Sequence, residues 1–323
     1  MTSWQDIQAE IAAGKGPGKE GGDFDSVRRA KYALVKKLTG RPLLVYATAF
    51  HAPHKAQIRS IAVFLTIDVS DKDGFREIID NVTSDEVDVF IHSPGGSAEA
   101  TESIVKLLRS RFKKIRFIVT GAAKSAATML VLSGDSILMD KSAELGPIDP
   151  QVSVNGRYSP AGSIKEQFSR AAAELARDPS LIPAWIPILE QFAPCLLIEC
   201  DNYIKLAKTL VINWMTTYMF QNKKGARDKA RKIAQYLTNE KRTLSHARRI
   251  DAEQLRKLGM TIELLEEQNE DIKDAFRQLH ISIMQTLDGT GAIKIFENSE
   301  GAALIRMVTT SPSMSATPPS KTP

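Results

Sequence analysis

Cysteine is nearly missing from this 323-residue chain, which holds two. Cys195 and Cys200 lie five apart in one apolar segment of helical pattern, where side chains at that spacing turn away from each other, so they are not expected to form a disulfide. Two thiols are also too few for a structural zinc cluster, and both read as buried free cysteines in a reducing compartment. Long hydrophobic runs are missing as well: no segment holds eighteen largely uncharged apolar residues, which disfavours a spanning helix. The richest stretch, Ala193–Phe220, is interrupted by Glu199, Asp201, Lys205 and Lys208. It reads as a buried or interfacial helix, with peripheral membrane association left open. The opening residues lack the basic-then-apolar pattern of a signal peptide, and the expected location is cytoplasmic. There is no GxxxxGK[ST] loop, so no ATP is implied within the chain. The net charge of +5 is modest, and its basic clusters "KKGARDKARK" and "NEKRTLSHARR" have no interleaved aromatics for stacking bases. Nucleic acid is therefore not an expected partner.

What the chain does hold is the composition of a globular protein, 43% apolar and 25% charged. Apolar runs "PLLVYATAF", "VDVFIHSPGG", "KIRFIVT" and "SILMD" alternate with helical patterns, one with Ile104, Leu107, Leu108 and Phe112 on a single face. That alternation predicts parallel β-α-β units with right-handed connections. The expected organisation is a flexible segment over 1–23, an α/β core over 24–180, a helical extension and oligomerisation region over 181–290, and a disordered tail over 306–323. The apolar Trp185–Phe220 region needs a burial partner in the core or in a second subunit.

Two strand ends carry the chemistry, because open α/β sheets hold ligands beyond the carboxyl ends of their strands. In "FIHSPGGSAEA", Gly95 and Gly96 free the backbone for a tight turn, and its amides could face an oxyanion; a plain chain reversal would use the same residues. In "VTGAAKSAATM", small residues let backbone approach backbone, and Ser125 falls at the first turn of a helix. It is either a nucleophile or an ordinary helix cap.

Together, "DVFIHSPGGSAEATESIVKLL" and "GAAKSAATMLVLSGDSILMDKSAELGPIDPQV" resemble the ClpP/crotonase superfamily, and within it the serine dehydrogenase proteinase (SDH-type) family, related to signal peptide peptidase A-like serine peptidases. The resemblance implies a ClpP/crotonase-like α/β fold of stacked β-β-α units, here with a helical C-terminal extension. It also implies a serine endopeptidase that works through an acyl-enzyme on peptide or protein substrates, with no cofactor and no metal, as a homo-oligomer. "GAAKS" matches the family's Gly-x-Ala-x-Ser motif at Gly121, Ala123 and Ser125, which makes Ser125 the nucleophile and the Gly96 and Ala126 amides the oxyanion donors.

The base is less direct. The ClpP triad has its histidine about two dozen residues after the serine, and this chain has none between His92 and His246. Signal peptide peptidase A-like enzymes use a lysine some forty residues on, which points to Lys165 in "SPAGSIKEQF". Desolvation by Ile164 and Phe168 would have to lower its pKa for that role. Lys141 reads as an exposed turn residue, and Lys124, adjacent to the serine, faces elsewhere if the segment is helical. His92 lines the groove or is structural, and His51 with His54 lacks a third metal ligand. His246, in a segment resembling "SHGRPI", is assigned a structural or peptide-binding role, with a triad through it left open. Two other classes fit the fold: an acyl-CoA enzyme that polarises a thioester with the two amides, and a catalytically silent scaffold. A pyridoxal phosphate enzyme finds no lysine setting here.

Overall fold

The computed structural model describes residues 1–16, 21–56 and 59–308. Eleven strands occur among them: β1 (Leu43–Thr48), β2 (Glu86–His92), β3 (Lys114–Val119), β4 (Ala122–Ala123), β5 (Ser136–Met139), β6 (Glu144–Leu145), β7 (Gln151–Val154), β8 (Arg157–Pro160), β9 (Ile262–Leu264), β10 (Ala292–Asn298) and β11 (Ala303–Met307). Seven of them form one twisted sheet in the order β11-β10-β1-β2-β3-β5-β9. β1, β2, β3, β5 and β9 run parallel, and β10 and β11 complete one edge in antiparallel fashion.

The strands are apolar on both faces because helices cover both. Side chains alternate between two cores with the period of a pleat. Leu44 and Tyr46, Val89 and Ile91, and Phe117 and Val119 enter one core. Val45 and Ala47, Phe90 and Ile118 enter the other. Helices Asp71–Ile79 and Ala98–Arg111 pack on the first face through Phe75, Ile78, Ile104 and Leu108. Helices Phe24–Thr39 and Glu270–Gly289 pack on the second through Tyr32, Val35, Phe276 and Leu279. Ser97 caps Ala98–Arg111, its Oγ accepting the Ala100 N–H at 3.0 Å, which fixes where that helix leaves the Gly95–Gly96 turn.

The parallel units and the helical region that follows them match the sequence reading, and the chain then adds strands to the sheet. Residues 262–307 are not purely helical, because they return three strands to the main sheet. Buried ion pairs tie those strands in. Arg28 Nε donates to the Glu297 carboxylate at 2.6 Å, Tyr32 Oη donates to the same carboxylate at 2.8 Å, and Lys294 Nζ donates to Asp71 at 2.6 Å. Arg306 and Met307, expected in a tail, belong to β11, and 309–323 lie outside the described residues.

Helices Ala161–Arg177, Ile182–Leu189 and Leu196–Thr217 form an arm. The second half of Leu196–Thr217 packs into the main core through Val211, Trp214 and Met215. Ile182–Leu189 buries none of its residues, and Ile182 and Ile186 are each 45% exposed.

Candidate active site

A second, shorter ladder brings together segments that are far apart in sequence. Just past β2, Ser93 bridges Ala123 of β4; β4 pairs with β6; and Leu145 of β6 exchanges two hydrogen bonds with Ile250, at 3.0 and 3.1 Å. Each rung holds a chemically useful residue a few positions away. Gly95 and Gly96 follow Ser93, Ser125 follows Ala123, Asp149 follows Leu145, and His246 precedes Ile250. Gly96, Ser125, Ala126, Asp149 and His246 all line one solvent-open cavity of about 1060 Å³.

The turns meet at close range. Gly95 has φ +96°, and a β-carbon there would sit 2.5 Å from the Lys124 carbonyl, 2.7 Å from Ser125 Cβ and 2.8 Å from the Ala126 nitrogen. Only glycine lets the two turns touch. Ser125 itself has φ 51° and ψ −121°, a conformation that β-carbons disfavour and that costs about 1–3 kcal/mol for a non-glycine residue. It precedes the short helix Ala126–Val131 without capping it, so the hydroxyl is not consumed by the helix end. Among the described residues, the Gly96 and Ala126 amides donate to no acceptor.

Asp149 is 2% exposed, and its Oδ1 lies 2.9 Å from His246 Nδ1 while Oδ2 accepts from Gln151 Nε2 at 2.7 Å. An ionised carboxylate only accepts, so Nδ1 carries the hydrogen and Nε2 is left to accept a proton. His246 is 27% exposed.

The lysines lie elsewhere. Lys165, in helix Ala161–Arg177, pairs with Asp201 and lines a different cavity of about 890 Å³ that shares no residue with the Ser125 cavity. The structure therefore does not bring the expected base to Ser125: the arm turns this face of the helix toward Leu196–Thr217. Lys124 Nζ pairs with Glu144 at 2.8 Å, and Lys141 is exposed. Asp149, within "GPIDP", is not among the site residues expected from sequence. The β7–β8 hairpin is likewise not among the expected elements, although its Asn155-Gly156 turn is a two-residue hairpin signal.

His92 is buried behind the site, among the rings of Phe50, His51 and His280. Its Nδ1 faces the Ala122 N–H at 3.4 Å, and its Nε2 has no partner among the described residues. Burial, then the neighbouring His51 and His280, push its pKa well below the ordinary value, and His51 and His280 are lowered by burial too. Glu144 and Lys124 act on His51 in opposite senses, as Asp140 and Arg277 do on His280. The unfolded chain binds these protons more readily, so stability is full above about pH 6.5 and falls as the pH drops toward the folded values. Differential scanning calorimetry is expected to show a lower Tm at pH 5 than at pH 7, with a shallower slope in His92→Gln. An equal Tm at both values would contradict the assignment.

The profile of the ClpP-like SDH-type serine proteinases matches residues 26–276. The chain belongs to that family. It is a serine-type endopeptidase, and its substrates are peptides or proteins. Two uncharacterized proteins of Methanocaldococcus jannaschii are each 27% identical to this proteinase. One match spans 74% of this chain and 76% of the relative, the other 66% and 64%. Two solved structures of the 1510-N membrane-bound stomatin-specific protease, a serine-to-alanine mutant and a lysine-to-alanine mutant with a substrate peptide, are similar at 17% and 16% identity. They cover 66% and 61% of the proteinase and 79% and 70% of their own chains, with TM-scores of 0.39 and 0.38. Those proteases are membrane-bound, so the cytoplasmic placement expected from sequence is withdrawn. Among the described residues of the proteinase, no helix is long and apolar enough to cross a membrane.

Proposed function

We propose that the proteinase cleaves peptide bonds with Ser125 as nucleophile, His246 as general base oriented by Asp149, and the Gly96 and Ala126 amides as oxyanion donors. The observation that carries this reading is the strained, uncapped Ser125 sharing one cavity with a hydrogen-bonded His246–Asp149 pair. Ser125 Oγ attacks the scissile carbonyl while His246 Nε2 takes its proton. The two amides, left without internal acceptors, hold the developing oxyanion. His246 then gives the proton to the leaving amine, and an ester on Ser125 remains. Water, deprotonated by the same imidazole, releases the acid and restores the hydroxyl. Asp149 keeps the imidazole in the tautomer that accepts at Nε2 and stabilises the imidazolium.

The acyl-CoA alternative uses the two amides alone and gives a strained serine and a His-Asp pair no task. Ser125→Ala is expected to lower kcat on a fluorogenic peptide by about 10⁴-fold or more with the fold intact. It is also expected to abolish covalent labelling by a fluorophosphonate. Full activity in Ser125→Ala would overturn the reading.

We also propose that a second copy of the chain covers the arm, because Ile182–Leu189 is apolar along its whole length and buries nothing. Ile182→Asp with Ile186→Asp should lower the mass measured by light scattering; an unchanged mass would remove the arm from the interface.

A further inference from the structure

The turn that carries Asp149 has its backbone tied down on both sides. Pro147 and Pro150 restrict it, the Gly146 N–H donates to Thr128 Oγ1 at 3.0 Å, and the Ile148 N–H donates to the Leu237 carbonyl at 2.8 Å. None of these contacts reaches the Asp149 carboxylate, which could still turn about its own side-chain bonds. Two groups stop it. His246 Nδ1 lies 2.9 Å from Oδ1, and Gln151 Nε2 donates to Oδ2 at 2.7 Å, with the Asp149 carbonyl a further acceptor at 3.3 Å. Among the described residues, no lysine or arginine pairs with this carboxylate.

Gln151 is placed by the hairpin it begins. It is the first residue of β7 and pairs with Pro160 of β8, and the Ala161 N–H closes the base of the hairpin on the Pro150 carbonyl at 2.9 Å. The next residue, Val152, is buried in a small core with Ala161, Ile164, Leu196 and Cys200 of the arm. Alternation along the strand commits Val152 to that core and leaves Gln151 on the opposite face, where it lines the Ser125 cavity.

We propose that Gln151 is a positioning residue of the proteinase, holding the Asp149 carboxylate so that Oδ1 stays on His246. The inference rests on the peptidase reading above, and it makes the β7–β8 hairpin part of the catalytic support. The amide suits the task because it is neutral. A lysine or arginine in its place would satisfy Oδ2 but would also offset the negative charge that Asp149 lends to the imidazolium. The Gln151 amide supplies the donor and leaves that charge in place. Without it, a buried carboxylate oxygen goes unpaired, which favours turning the carboxylate toward water and takes the fixed acceptor away from Nδ1.

Gln151→Met keeps the length of the side chain and removes the donor. Steady-state hydrolysis of a fluorogenic peptide by the full chain should show kcat lowered roughly ten- to hundredfold, the worth of a hydrogen bond to a charged group. KM should stay within about twofold, because the lost interaction is with the enzyme's own base and not with substrate. Gln151→Ala should show the same split. In an Asp149→Asn background, Gln151→Met should cost less than about threefold more, since the group it acts through is already lost. Unchanged kcat in Gln151→Met and Gln151→Ala, beside a large loss in Asp149→Asn, overturns the proposal and leaves the peptidase reading standing. A raised KM with kcat intact would make Gln151 a substrate contact and also overturns it. So does a full further ten- to hundredfold loss on top of Asp149→Asn, which would make Gln151 independent of the pair. Unchanged kcat in Asp149→Asn itself sinks the His246–Asp149 assignment, and this proposal with it.

Discussion

His246→Ala is expected to lower kcat for peptide hydrolysis by about 10⁴- to 10⁶-fold, the range found when a triad histidine is removed. Lys165→Ala should leave it within about threefold, since the exposed pair with Asp201 contributes little. The contrast follows from where the two groups lie. His246 lines the Ser125 cavity, with Nδ1 fixed by a buried carboxylate and Nε2 left to take a proton. Lys165 lines another cavity, where its ammonium pairs with Asp201 away from Ser125. Asp149→Asn belongs to the same experiment. It keeps the shape but lets the amide present a donor to Nδ1, which favours the wrong tautomer and should lower kcat by up to about 10⁴-fold. A large loss in Lys165→Ala with His246→Ala unaffected would reverse the mechanism and restore the lysine dyad.

Gly95→Ala is the second large effect, and it acts through backbone alone. The added methyl would stand 2.5 Å from the Lys124 carbonyl and 2.8 Å from the Ala126 nitrogen, so the Ser125 turn must retreat. That retreat moves the proposed oxyanion donor and the proposed nucleophile together, and misplacing one such donor lowers kcat by about 10²- to 10³-fold. Gly40→Ala is the matched control. Its φ of +69° is also strained for alanine, but a methyl there meets nothing within 4 Å. Both variants should lose stability in chemical denaturation, by roughly 1 kcal/mol or more from the backbone alone, and only Gly95→Ala should lose its turnover. Equal activity in the two would show that contact between the turns is not needed.

These outcomes separate what the sequence carries from what it conceals. The parallel units were legible because β2 and β3 are short apolar runs next to a helix with one clear apolar face. Gly95, Gly96 and Ser125 were legible as local patterns, since a tight turn and a strand-to-helix junction are written in neighbouring residues. The His246–Asp149 pair was not, because its members are 97 positions apart and meet only through the Leu145–Ile250 exchange of backbone bonds. Backbone pairing of that kind leaves little trace in side-chain pattern. Lys165 was chosen by its spacing from Ser125, and spacing along the chain does not report where the arm directs a helix face. The return of β10 and β11 was missed for a similar reason. "AIKIFEN" carries Lys294 and Glu297 at positions that read as exposed, yet both are buried against Asp71 and Arg28.

A crystal structure of the fluorophosphonate adduct on Ser125 tests the central claim most directly. The account predicts a phosphoryl oxygen within about 2.7–3.1 Å of both the Gly96 and Ala126 nitrogens, with His246 Nε2 as the nearest base to the Ser125 oxygen and Asp149 behind it. A phosphoryl oxygen pointing away from those amides, or the Lys165 ammonium beside Ser125 in place of His246, would contradict it.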